Sequence, residues 1–294
     1  SATDSRRLSD TSRQQVYRIG SYEMESTLSW DEDSQSWHPQ TFPIKTREDL
    51  GRMAEFWRDA TVEPSPENME KADARVREIG EDGLRVDHIG ESPLMLFVEH
   101  LAGVAPAHLF LADAPDEVED LFDAIHQNLL RRAELIAEHG RADATYFVEN
   151  TSTTLISPSQ YGRYCFNHLE AYSDVLATAD RRVILHMCGL IKGLLDQLAK
   201  LPVRAFEAFT TPTLGNTTFR DGREACPDTC LIGGTNAMLW LRPADEIIAQ
   251  IHTHLDELPH HRGIVVTSAG VMPPFCTPET IRKVADAVKA YPLR

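Results

Sequence analysis

No stretch of this 294-residue sequence approaches the ~20 consecutive apolar residues that span a bilayer, and its first residues carry no apolar signal-peptide core. These absences predict a cytoplasmic protein with no membrane partner. Basic residues are scarce: 29 Lys and Arg stand against 45 Asp and Glu, a net charge of −16. Nucleic acid is excluded as a partner on that ground, because phosphate binding rests on clustered Lys and Arg. Cysteine is sparse as well. The thiols at 165, 188, 226, 230 and 276 are an odd number and do not form the framework of a secreted disulfide domain, so they are expected to be reduced and free to bind metal. What is present, 42% hydrophobic and 25% charged residues, suffices for one large domain or two small ones. Disorder is expected only in the polar tail of residues 1–13.

Gln15 to Gly20 and Met24 to Trp30 alternate in polarity and predict a hairpin or an excursion from a sheet, followed by a turn or loop over the polar residues 31–34. Thr46 reads as the N-cap of a helix to about Asp59, with acidic residues in its first turn, and a second helix is expected from about Pro66 to Gly80. The pattern then becomes regular. Apolar runs near 84–89, 144–150, 181–187, 203–208, 229–234 and 262–268 read as strands, and helical stretches near 114–139, 158–178, 190–200, 243–257 and 277–290 follow nearly all of them. Buried strands alternating with helices predict an α/β fold on a parallel sheet, open or closed into a barrel. An eight-stranded barrel needs two strands more than the six visible, so the chain is expected to lack its first one or two.

The run Val183 to Gly189 ends in His186-Met187-Cys188-Gly189. On an extended strand, side chains two apart share a face, which sets an imidazole beside a thiol. Cys276, in a turn-rich segment after the apolar run 263–268, offers a third donor. One nitrogen and two sulfurs leave the fourth tetrahedral position for substrate, the pattern of a catalytic zinc. The same residues also read as a buried thiol and a satisfied core histidine. In favour of metal, both segments read as strand ends followed by helices, and strand ends on one face of an α/β barrel converge on one pocket.

Other polar groups gather at those ends. Glu207 and Glu149 are the catalytic candidates: Glu207 as a partner of His186 or a fourth ligand, Glu149 in positioning substrate. Asn150 and Asn236 are the candidates for cofactor or substrate contacts, and Asp87 and His88 are further strand-end groups. Each also reads as ordinary polarity returning at the end of a strand. Cys226 and Cys230 precede a strand and should fall at the opposite end of the sheet. His252 and His254, two apart on a helix, do not share a face, and His260 and His261 lie in the loop after it. Gly233-Gly234 lacks the rest of a dinucleotide fingerprint.

The segments 184–189, 231–236 and 268–281 resemble the uroporphyrinogen decarboxylase superfamily, nearer its zinc-dependent corrinoid methyltransferases than its decarboxylases. The likeness extends from about residue 40 to the end. It implies a single (β/α)8 TIM-barrel domain over 14–294, with zinc on His186, Cys188 and Cys276. It further implies methyl transfer between a small substrate and the cobalt of a corrinoid (cobalamin) carried by a partner protein. The substrate would be a thiol such as coenzyme M or a methylated compound such as an aryl methyl ether, since residues 206–215 look like those of demethylating members. Self-association as a homodimer is a further expectation. Two alternatives stand beside it: a metal-free decarboxylase of uroporphyrinogen type, and a non-catalytic member that binds a corrinoid protein or ligand. Arg6-Arg7 is a poor equivalent of the Arg-rich amino-terminal segment with which the decarboxylases hold tetrapyrrole carboxylates.

Overall fold

The structure, a computed structural model, describes residues 1–294. Where the sequence suggests one domain after a flexible tail, contacts divide the chain into two compact units. They are Ser1–Asp143 with Asn167–Asp180, and Ala144–Phe166 with Arg181–Arg294. No helix is long and apolar enough to cross a membrane.

The first unit opens with β1 (Ala2–Ser9), β2 (Ser12–Ile19), β3 (Tyr22–Asp31) and β4 (Ser36–Thr41), an antiparallel meander in chain order. The expected hairpin is β2–β3, and Trp30 lies opposite Trp37 with ring centroids 5.6 Å apart. The expected tail is instead β1. All eight of its residues are exposed, so it carries no apolar pattern; its backbone ladder with β2 and the ion pair of Asp4 with Arg18 hold it.

Next come α1 (Arg47–Asp59) and α2 (Pro66–Ile79). Thr46 caps α1 as expected: Asp49 N–H donates to Thr46 Oγ1 at 3.3 Å, and Thr46 N–H donates to the Asp49 carboxylate at 2.7 Å. Leu50, Met53, Ala54 and Phe56 of α1 are buried, whereas α2 buries nothing. After β5 (Val86–Gly90), α3 (Pro93–Leu96) and α4 (Val104–Asp113) runs the 25-residue α5 (Pro115–His139). Its buried Val118, Leu121, Phe122, Ile125 and Leu129 fall at helical spacing and build the core of this unit.

The second unit contains β6 (Ala144–Val148) and α6 (Pro158–Tyr161), while α7 (Asn167–Ala177) groups with the first. It continues with β7 (Val183–His186), α8 (Leu195–Leu198), β8 (Ala205–Phe209), α9 (Phe219–Ala225) and β9 (Cys230–Gly233). α10 (Ala244–Asp256), β10 (Ile264–Val266) and α11 (Pro278–Ala290) complete it. Strands β6 to β10 lie side by side in chain order and are parallel throughout, the α/β arrangement read from the sequence. One face carries the buried layer Ala144, Ile184 and Ala205, with Tyr146, Cys230 and Ile232 packed against it. On the other face Phe147, Val183, Leu185, Phe206 and Leu231 are buried, as expected of a parallel sheet covered on both sides.

The stretch 158–178 departs from the single helix expected there, because a π turn, Gly162–Phe166, separates α6 from α7. The helix expected at 190–200 shrinks to a 3-10 turn at Lys192–Leu194 and the four residues of α8.

Candidate active site

Register alone brings the first two groups together. On β7 and β8, His186 pairs with Glu207. The alternation of side chains puts both on the face of Ile184 and Ala205, two residues earlier on each strand. His186 Nδ1–H donates to Glu207 Oε2. Tyr146 on β6 shares that face, and its hydroxyl lies 2.5 Å from the same carboxylate oxygen and 2.8 Å from His186 Nδ1. Beyond the strand end, Cys188 Sγ lies 3.6 Å from Asn150 Oδ1. The backbone ties these ends together: His186 O accepts the N–H groups of Glu149 at 3.1 Å and Asn150 at 3.2 Å, and Met187 N–H donates to Glu207 O at 3.0 Å.

The side chains of His186 and Glu207 are 15% and 17% exposed, so their mutual interaction is little screened. Burial pushes the His186 pKa down, but hydrogen bonding with Cys188 and Glu207, with their charges, outweighs it and raises the value to about 9. For Glu207, burial pushes up, and hydrogen bonds from His186 and Tyr146 prevail and lower it. Burial and the neighbouring carboxylate raise the Tyr146 phenol. The result is an imidazolium–carboxylate pair with a neutral phenol. Ala208, directly after Glu207, sits at φ +63°, where the β8–β9 pairing shifts register between Glu207 and Phe209. A left-handed alanine is strained, and its place next to the key carboxylate marks a backbone bent to aim that side chain.

The other sequence candidates fall as follows. Glu149 is fully buried at the end of β6, and its charge helps raise the Tyr161 phenol. The Asn236 amide is engaged structurally: Nδ2 donates to Thr211 Oγ1 at 3.0 Å and Pro212 O at 2.8 Å, and Oδ1 accepts Leu239 N–H at 3.0 Å. Asp87 and His88 lie on β5 in the first unit. Cys276 lies in the loop between β10 and α11, where Val271 and Phe275 are 83% and 77% exposed. Its thiol is 4.0 Å from Thr277 O, and burial raises its pKa. No three His, Cys, Asp or Glu side chains are grouped closely enough to hold a metal, so Cys276 is not gathered with His186 and Cys188. Cys226, at the end of α9, and Cys230, opening β9, fall at the opposite strand ends as expected, and burial raises Cys226 to about 11.

Tyr146 is absent from the sequence-derived set. The signal for it was a phenol inside a largely buried strand, whose hydroxyl needs a partner.

A uroporphyrinogen decarboxylase (URO-D) family model matches residues 84–291, well over half of the chain. The chain belongs to the uroporphyrinogen decarboxylase family. Among solved structures, a methyltransferase from Methanosarcina mazei matches this URO-D chain with a TM-score of 0.67 at 18% identity, over 89% of this chain and 74% of that one. No curated protein matches it. The fold is therefore the α/β barrel type of the URO-D family. His186, Glu207 and Tyr146 all lie within the matched residues, and His186 and Glu207 lie toward the carboxyl ends of their strands, where barrel enzymes keep their chemistry.

Proposed function

We propose that this chain is a zinc-dependent methyltransferase, moving a methyl group between a small substrate and the cobalt of a corrinoid on a partner protein in the cytoplasm. The substrate is a thiol such as coenzyme M or a methylated compound such as an aryl methyl ether. Membership in the URO-D family and a fold shared with a methyltransferase support the class of reaction. The observation that carries the reading is the hydrogen bond from His186 Nδ1 to Glu207. A metal-ligating histidine gives its other ring N–H to a carboxylate, which fixes its tautomer and orientation.

His186, Cys188 and Cys276 would hold the zinc, a nitrogen–sulfur–sulfur set whose chemistry suits the ion and leaves a fourth position for substrate. His186 and Cys188 already adjoin, and completing the set requires the loop after β10 to carry Cys276 inward. Bound there, zinc supplies Lewis acidity that holds a thiol as thiolate or polarises an ether oxygen. Glu207 orients His186, and the neutral Tyr146 hydroxyl, bonded to the same carboxylate oxygen, keeps that oxygen in place. In the metal-free chain the Cys188 thiol donates to Asn150 Oδ1, which holds the sulfur beside His186; that proton leaves when the sulfur binds zinc as thiolate.

The family name suggests a metal-free decarboxylase of a polycarboxylate as a second reading. A carboxylate and a thiol on the His186 face give such an anion little to bind. Metal analysis of the reduced protein beside Cys276→Ala separates the two. One equivalent of zinc in the wild type, diminished in the variant, supports the methyltransferase and directs a screen of methylated substrates with cobalt(I) corrinoid. A wild type with reduced thiols and no zinc overturns it.

A further inference from the structure

At the strand ends opposite His186, Arg204 precedes β8, Cys230 opens β9 and Gly263 precedes β10. Between them lies a hollow of about 380 Å³ whose lining includes Arg204, Arg223, Arg262, His260 and Asp228. Three guanidiniums against one carboxylate is a local reversal of sign in a chain whose net charge is −16.

Arg223 is the centre of the feature. It is 6% exposed, yet its hydrogen bonds go to carbonyls: Nη1 to Pro227 O at 2.5 Å and Thr229 O at 3.1 Å, Nη2 to Arg262 O at 2.8 Å. Its Nε has no partner. These bonds pin the turn before β9 to the loop before β10, but they do not neutralise the charge. A buried cation without a counter-ion is costly. The nearby acid Glu224 is engaged instead by Arg220, at 2.9 Å. Gly263, at φ +69°, leaves the flank of the guanidinium uncovered: a Cβ there would lie 3.7 Å from Arg223 Nη2. Arg204 and Arg262 are exposed at the rim and make no ion pair that would occupy them. His260 Nδ1 also lacks a partner.

We propose that this hollow is a binding site for a dianionic phosphate group, free or borne by a small organic ester. Phosphate is favoured over carboxylate because three guanidiniums less the Asp228 carboxylate leave two positive charges, which a phosphate dianion answers and a single carboxylate does not. The volume exceeds that of a bare phosphate and leaves room for an organic portion, and His260 and Asp228 also line the hollow. The site is independent of the methyl-transfer reading, since it shares no residue with it.

Titration calorimetry of the full chain at constant ionic strength tests it, with inorganic phosphate, glycerol 3-phosphate, acetate and chloride as separate titrants. Both phosphates should bind more tightly than acetate or chloride. Tighter binding of the ester assigns the site to an organic phosphate, and equal binding assigns it to free phosphate. The Arg204→Ala/Arg262→Ala double variant, changed only at exposed positions, should weaken phosphate at least tenfold, with Arg262→Gln alone intermediate. Phosphate no tighter than chloride, or an unchanged affinity in variants that retain the wild-type circular dichroism, overturns the proposal.

Discussion

His186 and Glu207 face each other across adjacent parallel strands in direct register, with the imidazole Nδ1 bonded to the carboxylate. Because register in a buried sheet is fixed by its apolar pattern, this pair is held by the core itself and not by loop conformation. Cys188 lies just past the strand end and Cys276 in a loop, so rigidity falls from the first ligand of the proposed zinc to the last.

Glu207→Gln should weaken zinc binding by about 10- to 100-fold, the usual effect of removing the carboxylate behind a ligating histidine. Tyr146→Phe, which removes one hydrogen bond to that carboxylate, should cost less. Chelator competition measures both. An unaltered affinity in Glu207→Gln would remove this carboxylate from the site.

Tyr161 is fully buried, and its hydroxyl has no hydrogen-bond partner. Tyr161→Phe should therefore raise the unfolding free energy by about 1 kcal/mol, because an unsatisfied buried group is removed with little change of shape. Urea denaturation with an unchanged slope would report it. A loss of stability would mean that the hydroxyl is bonded.

Gly234 lies at φ +80°, and a Cβ there would stand 2.1 Å from Cε2 of Phe219. Overpacking and left-handed strain together should make Gly234→Ala destabilising by about 2–4 kcal/mol. Gly51, in α1 with nothing within 4 Å of such a Cβ, is the control. Gly51→Ala should stabilise by up to about 1 kcal/mol, in the same denaturation experiment.

Arg85 donates to Asp143 through Nε at 2.7 Å and Nη2 at 2.6 Å, and these bonds hold the Asp143 pKa at about 2. The folded value is below the unfolded value of about 3.9, so the unfolded chain takes up the proton first as pH falls. The contribution is complete above about pH 4 and is lost progressively toward pH 2. Thermal midpoints across that window should decline less steeply in Asp143→Asn. Parallel profiles would show that the pair does not couple to folding.

Much of this architecture was legible because its signals are local. The Thr46 cap, the strand runs of β6 to β9 and the helix over 115–139 follow from capping chemistry and apolar periodicity. β1 escaped because its eight exposed residues, polar but for Ala2 and Leu8, carry no alternation and depend on β2 for their ladder. α9 escaped because it is seven residues long, although Thr218 and Asp221 form the capping box that announces it. At the site, His186 and Cys188 could be read from their spacing, and Glu207 from its place on the next strand. Tyr146 offered only a phenol in a buried strand, and its partner could not be read because that depends on register between strands 40 residues apart in sequence. The exposed loop of Cys276 has no periodicity that would fix where its thiol points.

The amino-terminal meander has a consequence for how the chain behaves among other chains. Its outer strands are β1 and β4, and an open strand edge is a template for pairing with a neighbour. On β1, Asp4, Arg6 and Arg7 set charge along that edge, and on β4, Pro39 withholds a backbone donor. The sheet thus ends itself on both sides, which keeps its open edges from becoming a seed for aggregation.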